Sequence, residues 1–303
     1  MKKFIIQITA FSIVMIITFF GVLSMADGYT DDFYIRFTTK QQNNLIIGTS
    51  RAAQGIHPNV LNKKLDKIFF NYAFTGLHSP YGEVYYNSIV KKLDSSTKDG
   101  TFIISVTPWA ITSRTTEAND AKNFREVGLQ LDNTKNVNSY PNFDYLLNNL
   151  QGRFYQILAN PFASSTFLRK DGLLEINIPM DSISIEVRAN KKIKAYREKD
   201  LKNYHFSELR LKFLKKLIIK LNTHGKVYLV RLPIKKEVLE IENELIPKFN
   251  KILLDEIIPL TSGYLDMSRN EFEKYIFTDG NHLSKESGII VTEHIATWIE
   301  RTN

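Results

Sequence analysis

The sequence predicts an α/β fold: a three-layer sandwich around a central, mainly parallel sheet, preceded by a transmembrane helix. Three observations carry this. Apolar runs of strand length alternate with segments of helical spacing. An uncharged stretch in residues 1–25 is long enough to cross a bilayer. Regularity lapses over about residues 110–205 and then resumes, so a mid-chain insertion interrupts the core.

The elements follow in order. Lys2 and Lys3 precede "FIIQITAFSIVMIITFFGVLS", and Asp27, Asp31 and Asp32 follow it. This charge asymmetry puts the N-terminus in the cytoplasm and the remainder outside. A cleaved signal peptide is the rival reading, with Ser24 and Ala26 at −3 and −1 of the cut. The apolar region exceeds the roughly 7–15 residues of that class, which favours an uncleaved anchor. Residues 26–43 read as a connector and 44–303 as the α/β domain.

Within that domain, "NLIIGT", "KIFFNYAF" and "GTFIISVT" read as buried strands. "PNVLNKKL", with Pro58 at its start, and "GEVYYNSIVKKL" read as the helices between them. In the insertion, "FDYLLNNLQGRFYQIL" is helix-like, while "GLLEINI" and "SISIEVRA" alternate with period two and read as paired strands. The rhythm resumes with a helix over "SELRLKFLKKLIIKLNTHG", capped by Ser207 and closed by Gly225. "KVYLVRLP" and "GYLDMS" are the fourth and fifth strands. The helix between them should be kinked or divided at Pro247. "SKESGIIVTEHIATWIERT" is the last helix.

Composition narrows the function classes. The 303 residues contain no cysteine, so there is no disulfide framework and no thiolate metal site. The net charge of +8 suits anionic lipid or an anionic cell-wall polymer, or serves solubility alone. No zinc-finger, RNA-binding or recognition-helix pattern is present, which argues against a nucleic-acid partner. The histidines lack metal-ligand spacing, and the sequence predicts neither a metal nor a cofactor.

Ligands bind at the carboxyl ends of strands in an open parallel sheet. After the first strand come Gly48, Thr49, Ser50 and Arg51; after the second, Asn71 and Gly76; after the third, "SVTPWAI"; before the last helix, Asp279 and His282. A serine becomes nucleophilic beside a base that a carboxylate orients. Ser50, His282 and Asp279 would meet at one sheet edge in those roles, and the amides of Ser50 and Gly76 would bind an oxyanion. Arg51, Asn71 and Trp109 are candidate substrate contacts. Arg51 could equally pair with a surface acid, and Trp109 could equally be core.

"IGTS", "NYAFTG" and "DGNH" resemble the first, second and fifth blocks of the SGNH (GDSL-like) hydrolases. The resemblance covers roughly residues 44–108 and 206–300 and implies a flavodoxin-like core. By that resemblance Ser50 is the nucleophile, Gly76 an oxyanion donor, and Asp279 and His282 complete the triad. Thr49 stands where the family has an aspartate, and "VTPWA" stands where it has Gly-x-Asn-Asp. The anchor, the insertion and the Thr107–Pro108–Trp109 turn look more like the membrane-anchored branch. The D-alanine transfer and alginate acetylation proteins belong to that branch. This implies an esterase or O-acyltransferase acting on a cell-envelope or extracellular polysaccharide, with a membrane-bound O-acyltransferase as a partner. Taken singly, each motif has an ordinary reading: Gly-Thr-Ser is a common turn and Asp-x-x-His a helix cap. The alternative is therefore a catalytically weak binding or scaffold subunit of an envelope assembly.

Overall fold

The computed structural model describes residues 1–269 and 274–302. Helix α1 (Lys2–Leu23) carries no charge after Lys3, with a mean hydropathy of 2.3 over an 18-residue window, and is exposed up to Phe20. Then come β1 (Asn44–Ile47), α2 (Ser50–Gly55), α3 (Pro58–Leu65), β2 (Phe69–Asn71), α4 (Glu83–Lys92) and β3 (Gly100–Ser105). The segment that follows holds β4 (Thr112–Ser113), α5 (Gln130–Asn133), α6 (Phe143–Asn149) and α7 (Gln156–Ala163). It continues through β5 (Thr166–Leu168), β6 (Leu174–Ile176), α8 (Ser182–Ala195), α9 (Leu201–Asn203) and β7 (His205–Phe206). The chain closes with α10 (Glu208–Asn222), β8 (Gly225–Arg231), α11 (Lys236–Leu245), α12 (Phe249–Ile252), β9 (Gly263–Asp266) and α13 (Lys285–Thr302).

Five strands form a parallel sheet in the order β2-β1-β3-β8-β9. Every residue of β1, β2 and β3 is buried, as a sheet covered on both faces requires. Each fully buried Ile, Leu or Phe there contributes about 1.5–3 kcal/mol of transfer free energy. Gly100 faces Gly225 across the β3–β8 pair, and a Cβ on Gly225 would lie 2.0 Å from the Gly100 carbonyl oxygen. Only glycine fits there. The chain steps from β1 outward to β2, then back across β1 to β3, so strand order reverses between β1 and β3. That crevice is the topological switch point at which open parallel sheets bind ligands. Ser50 stands just after β1.

Residues 26–43 join the core. Phe33, Tyr34, Ile35 and Phe37 are buried in a 3-10 turn. Arg36, fully buried, donates to the carbonyls of Asp32 (2.8 Å), Asn71 (3.1 Å) and Gly172 (2.7 Å). Burial lowers its pKa to about 10.

Two sequence readings need correction. "SISIEVRA" is not a strand: β6 pairs with β5, and this stretch begins α8. The Asp181 side chain caps the helix by accepting the Ser184 amide at 2.9 Å. The residues that α8 turns inward are Ile185, Arg188, Ala189, Lys192 and Ile193, at helical and not alternating spacing. "FDYLLNNLQGRFYQIL" is two helices, because Gln151 and Gly152 adopt φ of +50° and +82°. As expected at Pro247, the helix is divided there, with α11 ending before it and α12 beginning after it. At the ends of the irregular segment, Thr112 pairs with Phe206 and Ser113 with His205, so it leaves and rejoins the body at one point.

Candidate active site

The turn after β1 is tight. A Cβ on Gly48 would stand 2.9 Å from Ser105 Cβ and 3.0 Å from Ala52 Cβ, so the position admits no side chain. The Tyr85 hydroxyl holds this glycine by accepting its amide at 3.0 Å while donating to the Tyr72 carbonyl at 2.7 Å. Thr49 is extended and Ser50 opens α2. Among the described residues, neither the Ser50 nor the Gly76 amide has a hydrogen-bond partner.

The second half of the site is the loop before α13. Asp279 accepts the amides of Asn281 (3.3 Å) and His282 (3.1 Å) on Oδ1, and Gly280 makes the turn at φ +94°. The loop winds around the carboxylate and returns the imidazole to it. His282 Nδ1 lies 3.0 and 2.8 Å from Asp279 Oδ1 and Oδ2. A nitrogen between two carboxylate oxygens carries the proton, which leaves Nε2 as an acceptor. The Ser50 hydroxyl is 2.7 Å from Nε2, across 232 positions of sequence. That is the separation of a nucleophile–base pair.

A fourth group completes the cluster. Lys192 of α8 forms a very close ion pair with Asp279 Oδ2 and donates to Asn281 Oδ1 at 2.8 Å. Its ammonium nitrogen lies 3.2 Å from His282 Nδ1. Because Nδ1 carries a proton, the ammonium acts there as a charge. Burial lowers the His282 pKa, and the Lys192 charge lowers it further, against the bond to Asp279. Burial alone would raise the Asp279 pKa; His282 and Lys192 outweigh it and hold the carboxyl well below the usual range. Burial lowers the Lys192 pKa although Asp279 opposes the shift. Nothing in the spacing of the sequence singles out Lys192; the helical periodicity of α8 puts it on the inward face, and that was the available signal.

A second charged layer lies behind the first. Arg51 does not reach toward a substrate, contrary to one sequence reading: it is buried and pairs with Glu242 Oε1 at 2.7 Å. Glu242 also pairs with Arg231 at 3.1 Å through Oε2. Tyr196, just after α8, joins the layers by accepting Asn281 Nδ2 at 2.6 Å and lying against Arg51. Trp109 stacks on Tyr196 with ring centroids 4.8 Å apart and is one residue removed from the cluster; its indole N–H has no partner among the described residues.

Asn71 is also no substrate contact. It is fully buried, donates to the carbonyls of Ala52 (2.8 Å) and Ile56 (3.0 Å), and accepts the Ala73 amide (3.1 Å). With its side chain so engaged, it ties β2 to α2 and thereby positions Ser50. Gly76 sits in an exposed turn where a Cβ would meet nothing within 4 Å. A cavity of about 300 Å³ flanks α2 and the loop, lined by Gln54, His57, Asn177, Thr278 and Lys285 among others. Burial and the nearby Arg169 and Lys285 lower the His57 pKa to about 4. Among the described residues no three His, Asp or Glu side chains are grouped to hold a metal ion. In comparisons with known proteins, no family model and no curated protein sequence matches the chain.

Proposed function

We propose that the chain is a membrane-anchored SGNH-like protein, an esterase or O-acyltransferase working through an acyl-Ser50 intermediate. The observation that carries this reading is the continuous bonding of Ser50 Oγ to His282 Nε2 and of His282 Nδ1 to Asp279. His282 takes the Ser50 proton as Oγ attacks the ester carbonyl carbon. The proton passes to the leaving alcohol as the ester C–O bond breaks. Water or a sugar hydroxyl then attacks acyl-Ser50; His282 takes its proton and returns it to Oγ. The unpartnered amides of Ser50 and Gly76 are the proposed oxyanion donors.

The polymer, a cell-envelope or extracellular polysaccharide, follows from the exported orientation and the family resemblance. A membrane-bound O-acyltransferase would supply the acyl group. Helices α2, α3 and α13 pack together, and α4 meets α10; these groupings support a three-layer sandwich. The paired ends of the irregular segment support reading residues 110–205 as an insertion that caps the site. The test is fluorophosphonate labelling of the full chain in detergent. Labelling at Ser50 that is lost in Ser50→Ala and His282→Ala is the expected result. A folded protein that does not label at Ser50 would overturn the proposal in favour of a binding subunit.

A further inference from the structure

Helix α1 does not leave the body cleanly at its end. Phe19 packs edge-on against Phe154 with centroids 5.3 Å apart, and Phe20 against Phe143 at 5.0 Å. These contacts lie within the last turn or so of α1, about 6 Å short of Leu23 along its axis. The apolar residues from Phe4 to Leu23 span about 30 Å, the thickness of a hydrocarbon core. An anchor of that length leaves Phe19 and Phe20 inside the boundary between acyl chains and headgroups. The elements that touch them, α6 and the approach to α7, are therefore at that depth.

The outer surface there is apolar. On α7 and the residue before it, Tyr155, Leu158 and Phe162 share one face at helical spacing, and Phe162 is 91% exposed. The inner face holds Ile157, 3% exposed, and Asn160, whose Nδ2 donates to the Thr30 carbonyl at 3.0 Å. Leu147 of α6 is exposed beside them in sequence order, and Met25 and Tyr140 are exposed near the anchor's exit, where the Tyr140 hydroxyl meets the Ala26 carbonyl. Aromatic residues at a helix exit are the pattern of the membrane–water interface. An amphipathic helix lying in that plane buries its apolar face about 5–10 Å deep.

We infer that the exposed face of α7, with Leu147, is a second membrane contact that seats the body in the lipid interface beside its anchor. The inference rests on α1 being an uncleaved anchor, not on the chemistry of Ser50. The seat removes the freedom of a tethered domain to tumble above the bilayer and holds the site in one orientation to the surface.

The chain lacks cysteine, so single-cysteine variants of the full protein can be labelled with bimane in vesicles holding brominated phosphatidylcholine. Ile13→Cys reports the anchor and Lys64→Cys a site on α3 outside the patch. We expect strong lipid quenching at Ile13→Cys, clear quenching at Leu158→Cys and Phe162→Cys, and none at Lys64→Cys. Quenching at residue 13 with positions 158 and 162 as water-exposed as 64 would overturn the seat and leave the anchor standing. Labels at 158 and 162 shielded from both lipid and aqueous iodide would also overturn it, in favour of a protein partner. No quenching at residue 13 would overturn the anchor and the seat together.

Discussion

The parallel sheet and the segment of residues 110–205 are built by different means. The sheet buries largely apolar strands: all six residues of β3 are buried, β1 meets it through Leu45, Ile46 and Ile47, and β8 through Val227 to Val230 beyond Gly225 and Lys226. The irregular segment, mostly of short elements, buries Tyr145, Leu146 and Ile157 in the same core, but it adds polar links, most of them to other parts of the chain. Glu126 forms a two-pronged pair with Arg210 at 2.7 and 3.0 Å, both buried. Gln130 Oε1 and His78 Nε2 are 2.9 Å apart, and the Tyr145 hydroxyl donates to Asp31 Oδ2 at 2.6 Å. Asn142 reaches the carbonyls of Phe37 and Asn136, both at 2.8 Å. The two regions meet at the site. The core supplies Ser50, Asp279 and His282; the segment supplies Lys192 and Tyr196. A scaffold of apolar burial thus carries Ser50, Asp279 and His282, and directional bonds set Lys192 and Tyr196 against them.

The comparison is open to attack at three positions. The largest expected effect is at Glu126. Its truncation to Ala strands Arg210 uncompensated in the interior, a cost of about 3–5 kcal/mol. A urea midpoint would show it, and a loss below about 1 kcal/mol would mean that the segment does not depend on its polar links.

Next is Lys192→Met, read through the pH dependence of Ser50 labelling. In the proposed mechanism the working base is neutral His282. Its pKa is lowered by burial and by the Lys192 charge, so removing that charge raises it. The acid limb of the profile should therefore move to higher pH. The plateau should change by less than about tenfold, whereas Asp279→Asn, which loses the orienting carboxylate, should lose on the order of 10⁴-fold. A plateau collapse in Lys192→Met equal to that of Asp279→Asn would show that the lysine orients rather than tunes.

The smallest expected effect is at Tyr196→Phe. It removes the acceptor of the Asn281 side chain, a loss of about 1 kcal/mol in stability. The acid limb should stay where it is, since the Lys192 charge remains.

Much of the core was legible because its determinants are local. Runs such as "NLIIGT" and "GTFIISVT" are strands by composition, and each breaks at a polar turn where a parallel sheet presents ligands. "TDGNH" was legible for the same reason: its carboxylate and imidazole share one short loop, so sequence distance approximates spatial distance. The neighbourhood was not legible. "SISIEVRA" alternates as a strand does, yet the Asp181 cap and the Arg188 bond to the Thr278 carbonyl, on the loop before α13, go with the helix that forms. Arg51 follows the serine in sequence, yet α2 turns its guanidinium inward to Glu242. Asn71 is polar at a strand end, yet its amide closes on backbone groups of α2.

By itself, then, the sequence determined the long apolar N-terminal helix, the alternating elements of a parallel sheet, and the positions of a serine after the first strand and an Asp–His pair before the last helix. Periodicity, turn chemistry and chain direction are properties of neighbours along the chain, and they suffice for that. Only the tertiary structure decided that Ser50 and His282 meet at 2.7 Å, that Lys192 shares Asp279 with the imidazole, and that Arg51 is withdrawn into a buried pair. Those contacts join residues far apart in sequence. Their energies depend on burial and on the charges around them, and neither exists until the chain has folded.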